Sequence, residues 1–149
     1  MATARRTRTV AAVPQAVWDV LADFGSLSSW ARNVDHSCLL EHGADGMGVG
    51  TSRRVQVGRN ALVERITDFT PATTLGYDIE GLSRRLRRVT NCWTLEPMAR
   101  GFTTVTLTTT VEVGNNPVAR VAERAVCRLL AKQSDVMLAG LAQRVEGRR

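Results

Sequence analysis

The chain has 149 residues, of which 44% are apolar and 23% are charged. This length suits one domain with a substantial core, and this composition excludes a disordered or fibrous chain. The charge is less ordinary, because 20 basic residues against 14 acidic ones give a net charge of +6, and every basic residue except Lys132 is arginine. A basic excess is typical of proteins that bind nucleic acid, anionic membranes or acidic ligands, although an arginine-rich coding bias produces the same excess.

Three cysteines, Cys38, Cys92 and Cys127, lie far apart and form neither a disulfide framework nor a metal-binding pair. The basic start of the chain is not followed by the apolar segment of a signal peptide. No apolar run approaches the roughly 18 residues of a membrane span. We therefore expect a cytoplasmic protein without stable membrane insertion.

The N-terminal part of the chain predicts one strand and two short helices. β-Favouring residues predict a strand over 6–13. Pro14 then stands where a helix begins, since its missing N–H costs nothing at the first helical position. Val17, Leu21 and Phe24 recur at helical spacing, and Gly25 ends the helix. A second short helix is predicted over 27–32.

Alternation with a period of two residues predicts six further strands. Turns that contain glycine or proline separate most of them, and such short connections favour antiparallel neighbours. The predicted strands cover 36–42, 51–57, 62–69, 74–80, 86–96 and 102–113. In the last of these, Thr109 and its apolar neighbours share one face, and threonines at the alternate positions form a solvent face.

A long helix is predicted to follow the sheet. Asn116 and Pro117 form an N-cap and a first helical position, and apolar residues then follow at helical spacing to near Glu146. Because this apolar stripe must be buried, the sequence predicts one α+β domain over 1–149, with a curved seven-stranded antiparallel sheet wrapped around the C-terminal helix. The predicted stripe consists of Val118, Val121, Ala122, Ala125, Leu129, Val136, Met137 and Leu141.

The space between the sheet and this helix is the first candidate for a binding site. The chain has seven aromatic residues (three Trp, one Tyr and three Phe), and alanine and valine dominate the predicted helix stripe. Small residues that face a curved sheet favour a cavity for a small molecule. A close-packed core filled by valine and leucine is the alternative, and both stay open at this point.

Several segments resemble one known group of proteins. They are VPQAVWDVLADF at 13–24 followed by Leu27 and Trp30, GTSRRV at 50–55, VERI at 63–66, LGY at 75–77 and WTLEP at 93–97. In this order they resemble the START-like SRPBCC superfamily, the polyketide cyclase/dehydrase and lipid-transport group, with its helix-grip fold. The resemblance implies the fold but no single function, because the superfamily includes carriers, sensors, cyclases and domains without a known ligand.

Glu64 is the leading candidate site residue. Strand alternation places its carboxyl group with Leu62 and Ile66 on an apolar face, where an unpaired carboxylate is unfavourable. Arg53, in step with Val55 on the neighbouring strand, is the predicted partner. The two strands resemble those of the plant abscisic-acid receptors, and this resemblance implies that the pair lies in a ligand cavity. An ion pair at the edge of the sheet is the alternative.

The same resemblance implies a wider set of ligand-binding residues. Tyr77 and Asn91 would orient a polar group of the ligand, although Asn91 has the alternative of satisfying a backbone group. The apolar wall would come from Val55, Ile79, Val89 and Trp93, of which Trp93 is also expected as a core residue. The C-terminal helix is expected to close the cavity through Val121, Ala125 and Leu129.

Four arginines in five residues, Arg84, Arg85, Arg87 and Arg88, form a strongly basic cluster. Such a cluster attracts an anionic group at a cavity mouth, or it is a solvated turn. Nucleic-acid binding favours aromatic residues interleaved with the basic ones, and this stretch has none. No nucleic-acid partner is therefore expected.

Motifs for catalysis are few. His36 and His42 are six residues apart on one predicted strand, a separation of about 20 Å that prevents them from sharing a metal. We expect no metal and no cofactor, and a monomer or a homodimer. The leading hypothesis is the binding or transport of a hydrophobic or amphipathic small molecule, lipid- or polyketide-like. The alternative is a polyketide aromatase/cyclase or dehydratase in which Glu64 acts as acid or base and Arg53 polarises a carbonyl group.

Overall fold

A computed structural model of the chain describes residues 1–44, 46–82, 86–114 and 116–147. Along the chain, one strand and two short helices come first, six strands follow, and a long helix comes last. The strands are β1 (Ala2–Val10), β2 (His36–Glu41), β3 (Ser52–Val57), β4 (Asn60–Thr70), β5 (Thr74–Glu80), β6 (Arg88–Pro97) and β7 (Thr103–Glu112). The helices are α1 (Pro14–Ala22) and α2 (Pro117–Glu146), with 3₁₀ helices at Phe24–Ser29 and Ala99–Gly101.

The strands form one antiparallel sheet in the order β1-β7-β6-β5-β4-β3-β2. Consecutive strands from β2 to β7 are neighbours, as short turns require. The pairing register shifts between Leu39 and Glu41 and between Ile66 and Asp68, and such irregularities bend the strands that contain them. The predicted α+β class, with a seven-stranded antiparallel sheet and a long C-terminal helix, is confirmed.

Predicted and observed boundaries agree best where a proline or glycine marks the end of an element. The strand predicted over 74–80 and the helix that begins at Pro117 agree with β5 and α2. The first strand lies earlier than predicted, because Ala2 to Val10 pair residue by residue with β7. The second short helix is a 3₁₀ helix at Phe24–Ser29 rather than a helix over 27–32, and its sequence FGSLSS contains residues that disfavour a regular α-helix.

The predicted inward face of α2 is wrong for its N-terminal half. Val121 and Leu129 are 67% and 60% exposed, and Ala125 is exposed beside them, so none of the three closes the cavity. The helix has two apolar faces. The sheet packs against the face with the smaller side chains, which also carries the buried carboxylate of Glu123. The buried residues of this half are Ala119, Glu123, Cys127, Ala131 and Ser134.

The contacts of Glu123 explain why this face of α2 is the buried one. Its Oε1 accepts a hydrogen bond from the Val113 N–H at 3.0 Å, and its Oε2 lies 2.7 Å from the terminal ammonium group of Met1. These contacts lower the pKa of the Glu123 carboxyl group, the bond from the ammonium group first. A charged residue outside the predicted apolar stripe therefore lies on the buried side of the helix.

The C-terminal half of α2 packs closely on the segment that follows the 3₁₀ helix. Gly140 is the contact point, since a Cβ at this position would overlap the carbonyl oxygen of Trp30. Met137, Leu138 and Leu141 are buried around it. This contact fixes the distance between α2 and the Trp30 segment at one end of the cavity described next.

Candidate functional site

A cavity of about 120 Å³ lies between the sheet and α2. Its inner wall is buried, whereas Asn60 is exposed and Leu82 is half-buried, so the mouth lies near the turn between β3 and β4. Most of the lining is apolar, and a small number of polar side chains project from it, which is the usual composition of a small-molecule site. The lining residues are Leu27, Asn33, Val34, Val55, Val57, Asn60, Leu62, Glu64, Ile79, Leu82, Asn91, Thr109, Leu130, Gln133, Ser134 and Met137.

A buried ion pair forms the charged part of the site. Arg53 and Glu64 are direct partners in the register of β3 and β4. Glu64 Oε1 accepts from Arg53 Nε at 2.7 Å and lies 2.6 Å from Arg53 Nη2, while both residues are at most 5% exposed. The predicted pairing of Arg53 with Glu64 is confirmed, and the pair is buried rather than exposed at a sheet edge.

Arg53 is held from several sides. Its Nη1 donates to the Phe24 carbonyl oxygen at 2.9 Å, and its guanidinium carbon lies 3.7 Å from the centre of the Phe24 ring and 4.8 Å from that of Tyr77. A guanidinium group stacked on an aromatic face gains a favourable cation–π interaction. Arg53 therefore lies behind the cavity wall, where it positions Glu64.

Glu64 itself lines the cavity, and only one of its oxygens is used. Both contacts from Arg53 reach Oε1, and no hydrogen bond or ion pair from a described residue reaches Oε2. A carboxylate oxygen accepts hydrogen bonds strongly and can take up a proton. Glu64 can therefore bind a donor group in the cavity or exchange a proton with it.

A chain of polar side chains crosses the sheet next to this pair. Tyr77 Oη accepts from Trp93 Nε1 at 3.1 Å and from Asn91 Nδ2 at 3.3 Å. Thr109 Oγ1 donates to Asn91 Oδ1 at 2.6 Å and lies 3.5 Å from Ser134 Oγ on α2. Asn91, Thr109 and Ser134 line the cavity, so the chain of bonds fixes the direction of its polar wall.

Tyr77 lies fully buried within this chain, between Trp93 and Asn91. Desolvation raises the pKa of its hydroxyl, the negative charge of Glu64 raises it further, and Arg53 opposes both. The hydroxyl therefore stays protonated at neutral pH and remains both a donor and an acceptor.

Two more lining residues carry polar atoms without a partner. Asn33 Oδ1 and Gln133 Oε1 are buried, and neither has a hydrogen-bond partner among the described residues. Leaving such an acceptor unpaired costs about 1–3 kcal/mol, so buried polar atoms are nearly always satisfied by protein, water or a ligand. Both oxygens therefore require a donor that the described chain does not supply.

The structure separates the predicted site residues into groups. Val55, Glu64, Ile79 and Asn91 line the cavity. Arg53, Tyr77 and Trp93 are buried behind the wall, and Val89 packs in a second apolar cluster with Val111 and Cys127. The three predicted residues of α2 lie outside, as described above.

The prediction missed the polar residues from outside β3–β6. The sequence pattern places Thr109 on the inner face of β7 without a role in the site, and it does not identify Asn33, Gln133 or Ser134 as site residues. The signal for Gln133 and Ser134 is their position near the centre of α2, as polar residues outside the predicted apolar stripe. That signal depends on the rotation of the helix, which the sequence pattern assigns wrongly.

The described part of the arginine cluster does not line the cavity. Arg84 and Arg85 lie outside the described residues. Arg87 and Arg88 are exposed, and Arg88 Nη2 lies 3.3 Å from Asp78 Oδ1.

Within the described ranges, neither α1 nor α2 has the length and the apolar composition of a membrane-spanning helix.

Comparisons with known proteins match the chain to one family and to several solved structures. A family profile described as "Polyketide cyclase / dehydrase and lipid transport" matches residues 1–146. No curated protein matches the sequence.

Among solved structures, the chain is similar to the Zhui aromatase/cyclase from Streptomyces sp. R1128, with a TM-score of 0.81 and 20% identity over 99% of this chain and 94% of the other. It is also similar to a START superfamily protein from Mycobacterium smegmatis, with a TM-score of 0.80 and 16% identity over 99% of both chains. A third similar structure, a protein from Thermus thermophilus, has a TM-score of 0.74 and 20% identity over 98% of both chains. At these identities the similarity shows a shared fold.

Proposed function

Since the chain belongs to the polyketide cyclase/dehydrase and lipid-transport family, we propose that its cavity binds a small amphipathic molecule, with an apolar ring or chain end inside and at least one hydroxyl group. Two unpartnered acceptors, Asn33 Oδ1 and Gln133 Oε1, carry this proposal, because they lie in a largely apolar cavity and require a donor. Glu64 Oε2 adds a third acceptor nearby in the same lining.

The volume of the cavity limits the ligand. About 120 Å³ is close to the space that holds one benzene ring, and it is below the range typical of drug-sized ligands. The enclosed part of the ligand is therefore a single ring or a short chain end. A longer lipid- or polyketide-like molecule would extend past Asn60 and Leu82 into solvent.

The proposed setting is the cytoplasm, where the protein holds or transfers its ligand. Cys38, Cys92 and Cys127 are free thiols in the structure, and free thiols persist in a reducing compartment. Binding requires no metal or cofactor, because apolar contact supplies affinity and the polar wall supplies orientation.

The experiment compares phenol with toluene, which have nearly the same shape and differ in the hydroxyl group. Dissociation constants would be measured by chemical-shift titration of the backbone amides. We expect phenol to bind about three- to tenfold more tightly, the net effect of one buried hydrogen bond. Equal affinities, or shifts that avoid the cavity lining, would contradict the proposal.

A matched pair of variants assigns the preference to the cavity. Gln133→Met removes one unpartnered oxygen and keeps the length of the side chain, so the preference for phenol should fall. Gln143→Met changes the same residue type at an exposed position of the same helix and should leave the preference unchanged.

A second function is favoured by the free oxygen of Glu64. In this alternative the chain is an aromatase/cyclase or dehydratase, and Glu64 removes a proton from the carbon next to a ketone and returns it elsewhere. The role expected for Arg53, polarising the carbonyl, is less well supported, because its guanidinium group lies behind the wall.

The alternative is tested by the exchange of the central CH₂ protons of 2,4-pentanedione in D₂O, followed by NMR. If Glu64 is an acid or base, the wild-type protein should accelerate exchange and Glu64→Gln should abolish the acceleration. Glu41→Gln is the control, since Glu41 is an exposed residue of β2. Equal rates with the wild type and Glu64→Gln would eliminate acid–base chemistry at Glu64 and leave binding as the function.

A further inference from the structure

Five exposed cations lie together along α2 and β1. Arg120, Arg124, Arg128 and Lys132 follow each other at intervals of four residues on α2, and Arg6 lies on the face of β1 that packs against the helix. We call these five residues the basic face. Between the helix and β1 runs a groove of about 470 Å³, lined by four of the five, all except Arg120.

The basic face is almost unneutralised. Arg6 Nε lies 3.5 Å from Asp135 Oδ1, but no other cation of the basic face makes an ion pair or side-chain hydrogen bond with a described residue. Glu123, the one acidic residue between Pro117 and Lys132, is buried and occupied by other partners. The basic face therefore presents a concentrated positive potential over about 18 Å of helix.

An exposed apolar row lies beside these cations on α2. Val118, Val121 and Leu129 are 78%, 67% and 60% exposed, and Ala122 and Ala125 are exposed between them. Their spacing follows one side of a helix. This row is the N-terminal part of the stripe that the sequence pattern assigns to the core, and in the folded protein nothing described covers it.

We propose that the basic face and the apolar row together dock the protein on a bilayer that contains anionic phospholipids. The cations would contact phosphate groups, with the groove able to admit a headgroup, and the apolar row would enter the boundary between headgroups and acyl chains. A helix with an apolar row flanked by Arg and Lys lies in the plane of a membrane surface in this way. The inference is independent of what the cavity binds.

A bilayer fits this surface better than a protein partner does. A second copy of the chain would bring two basic faces together, which is unfavourable. An acidic protein would match the charge, but interface anchors are typically aromatic side chains and pockets that receive them. The exposed row has only valine, alanine and leucine on a convex helix, and such a row suits a deformable apolar layer.

The test is co-sedimentation of the protein with vesicles of phosphatidylcholine alone and of phosphatidylcholine and phosphatidylglycerol in equal parts. We expect binding to the anionic vesicles only, and we expect it to weaken between about 0.1 M and about 1 M salt. Replacing Arg120, Arg124 and Arg128 by glutamine should weaken binding about a hundredfold, since each basic residue contributes about fivefold.

Control variants separate this surface from the net charge. Replacing Arg54, Arg59 and Arg65 by glutamine removes the same charge from exposed positions on β3, β4 and their turn, and should change binding by less than about tenfold. Leu129→Asp should weaken binding about tenfold through the apolar row. Val49→Asp, at a position that is also 60% exposed, should not.

Three results would overturn the inference. They are equal binding to both kinds of vesicle, equal losses in the two triple variants, and no binding to anionic vesicles by the wild type. In the last case, retention on immobilised polyglutamate that the Arg120, Arg124 and Arg128 replacements abolish would assign the surface to an acidic protein instead. None of these results would bear on phenol binding in the cavity, which is measured separately.

Discussion

The buried ion pair makes a sharp prediction about stability. Arg53→Met keeps much of the volume of the side chain but leaves the Glu64 carboxylate, only 5% exposed, without its partner. It also removes the hydrogen bond to the Phe24 carbonyl oxygen and the cation–π contact with the Phe24 ring. Removing one partner of a buried pair costs about 3–5 kcal/mol.

This cost is large enough to measure by thermal and urea denaturation followed by circular dichroism. In a chain of this length 1 kcal/mol corresponds to about 2–4 °C, so the Tm should fall by roughly 6–20 °C. The matched control is Arg88→Met, because Arg88 pairs with Asp78 at 3.3 Å but its side chain is 59% exposed. That change should cost at most about 1 kcal/mol.

A double-mutant cycle identifies the cause of the loss. Glu64→Gln retains an oxygen that can accept from Arg53, so it should cost less than Arg53→Met, about 1.5–3 kcal/mol. The variant with both changes should be more stable than the sum of the single losses predicts, because no carboxylate is then left unpaired. Additive losses, or an Arg53→Met variant within about 1 kcal/mol of the wild type, would refute the assignment of Arg53 as the group that holds Glu64.

Three other predictions concern single residues. Tyr77 is the only tyrosine, and because burial raises its pKa, the midpoint of its absorbance titration should lie above pH 10. The stability that this shift contributes is retained below pH 10 and falls as the pH rises through the folded-state pKa. Gly140→Ala should lower the free energy of unfolding by about 1–3 kcal/mol despite the helix preference of alanine, because its Cβ would overlap the Trp30 carbonyl oxygen, and urea denaturation measures this. Burial raises the pKa of Cys92 and Cys127, whereas Cys38 is exposed. A thiol reagent at pH 8 should therefore modify Cys38 first, as peptide mapping would show.

The fold could be predicted because its signals are local. Alternation in β6 and β7, the turns between strands, and the Asn116–Pro117 start of α2 depend only on neighbours in the sequence. The structure adds the cap itself, in which Asn116 Oδ1 accepts from the Ala119 N–H at 2.7 Å. The pairing of Arg53 with Glu64 could be inferred too, because a short turn fixes the register of adjacent strands.

The cavity wall could be predicted only in part, because α2 lies far from its partners in sequence. The helix carries two apolar faces, and hydrophobicity selects Val121 and Leu129, whose side chains are larger. The buried face is determined instead by the partners of Glu123 and by the close approach at Gly140, which are tertiary contacts. In the actual rotation of α2, Gln133 lines the cavity, and the apolar row that contains Val121 and Leu129 is exposed.

The most direct test of the central proposal is to locate bound phenol by intermolecular nuclear Overhauser effects to methyl groups. The account predicts contacts from the phenol ring to Val55, Leu62 and Met137, which line the cavity. It predicts none to Val121 or Leu129 on the outer face of α2. Contacts confined to that outer face, or no contacts at phenol concentrations that saturate the amide shifts, would contradict a ligand site between the sheet and α2.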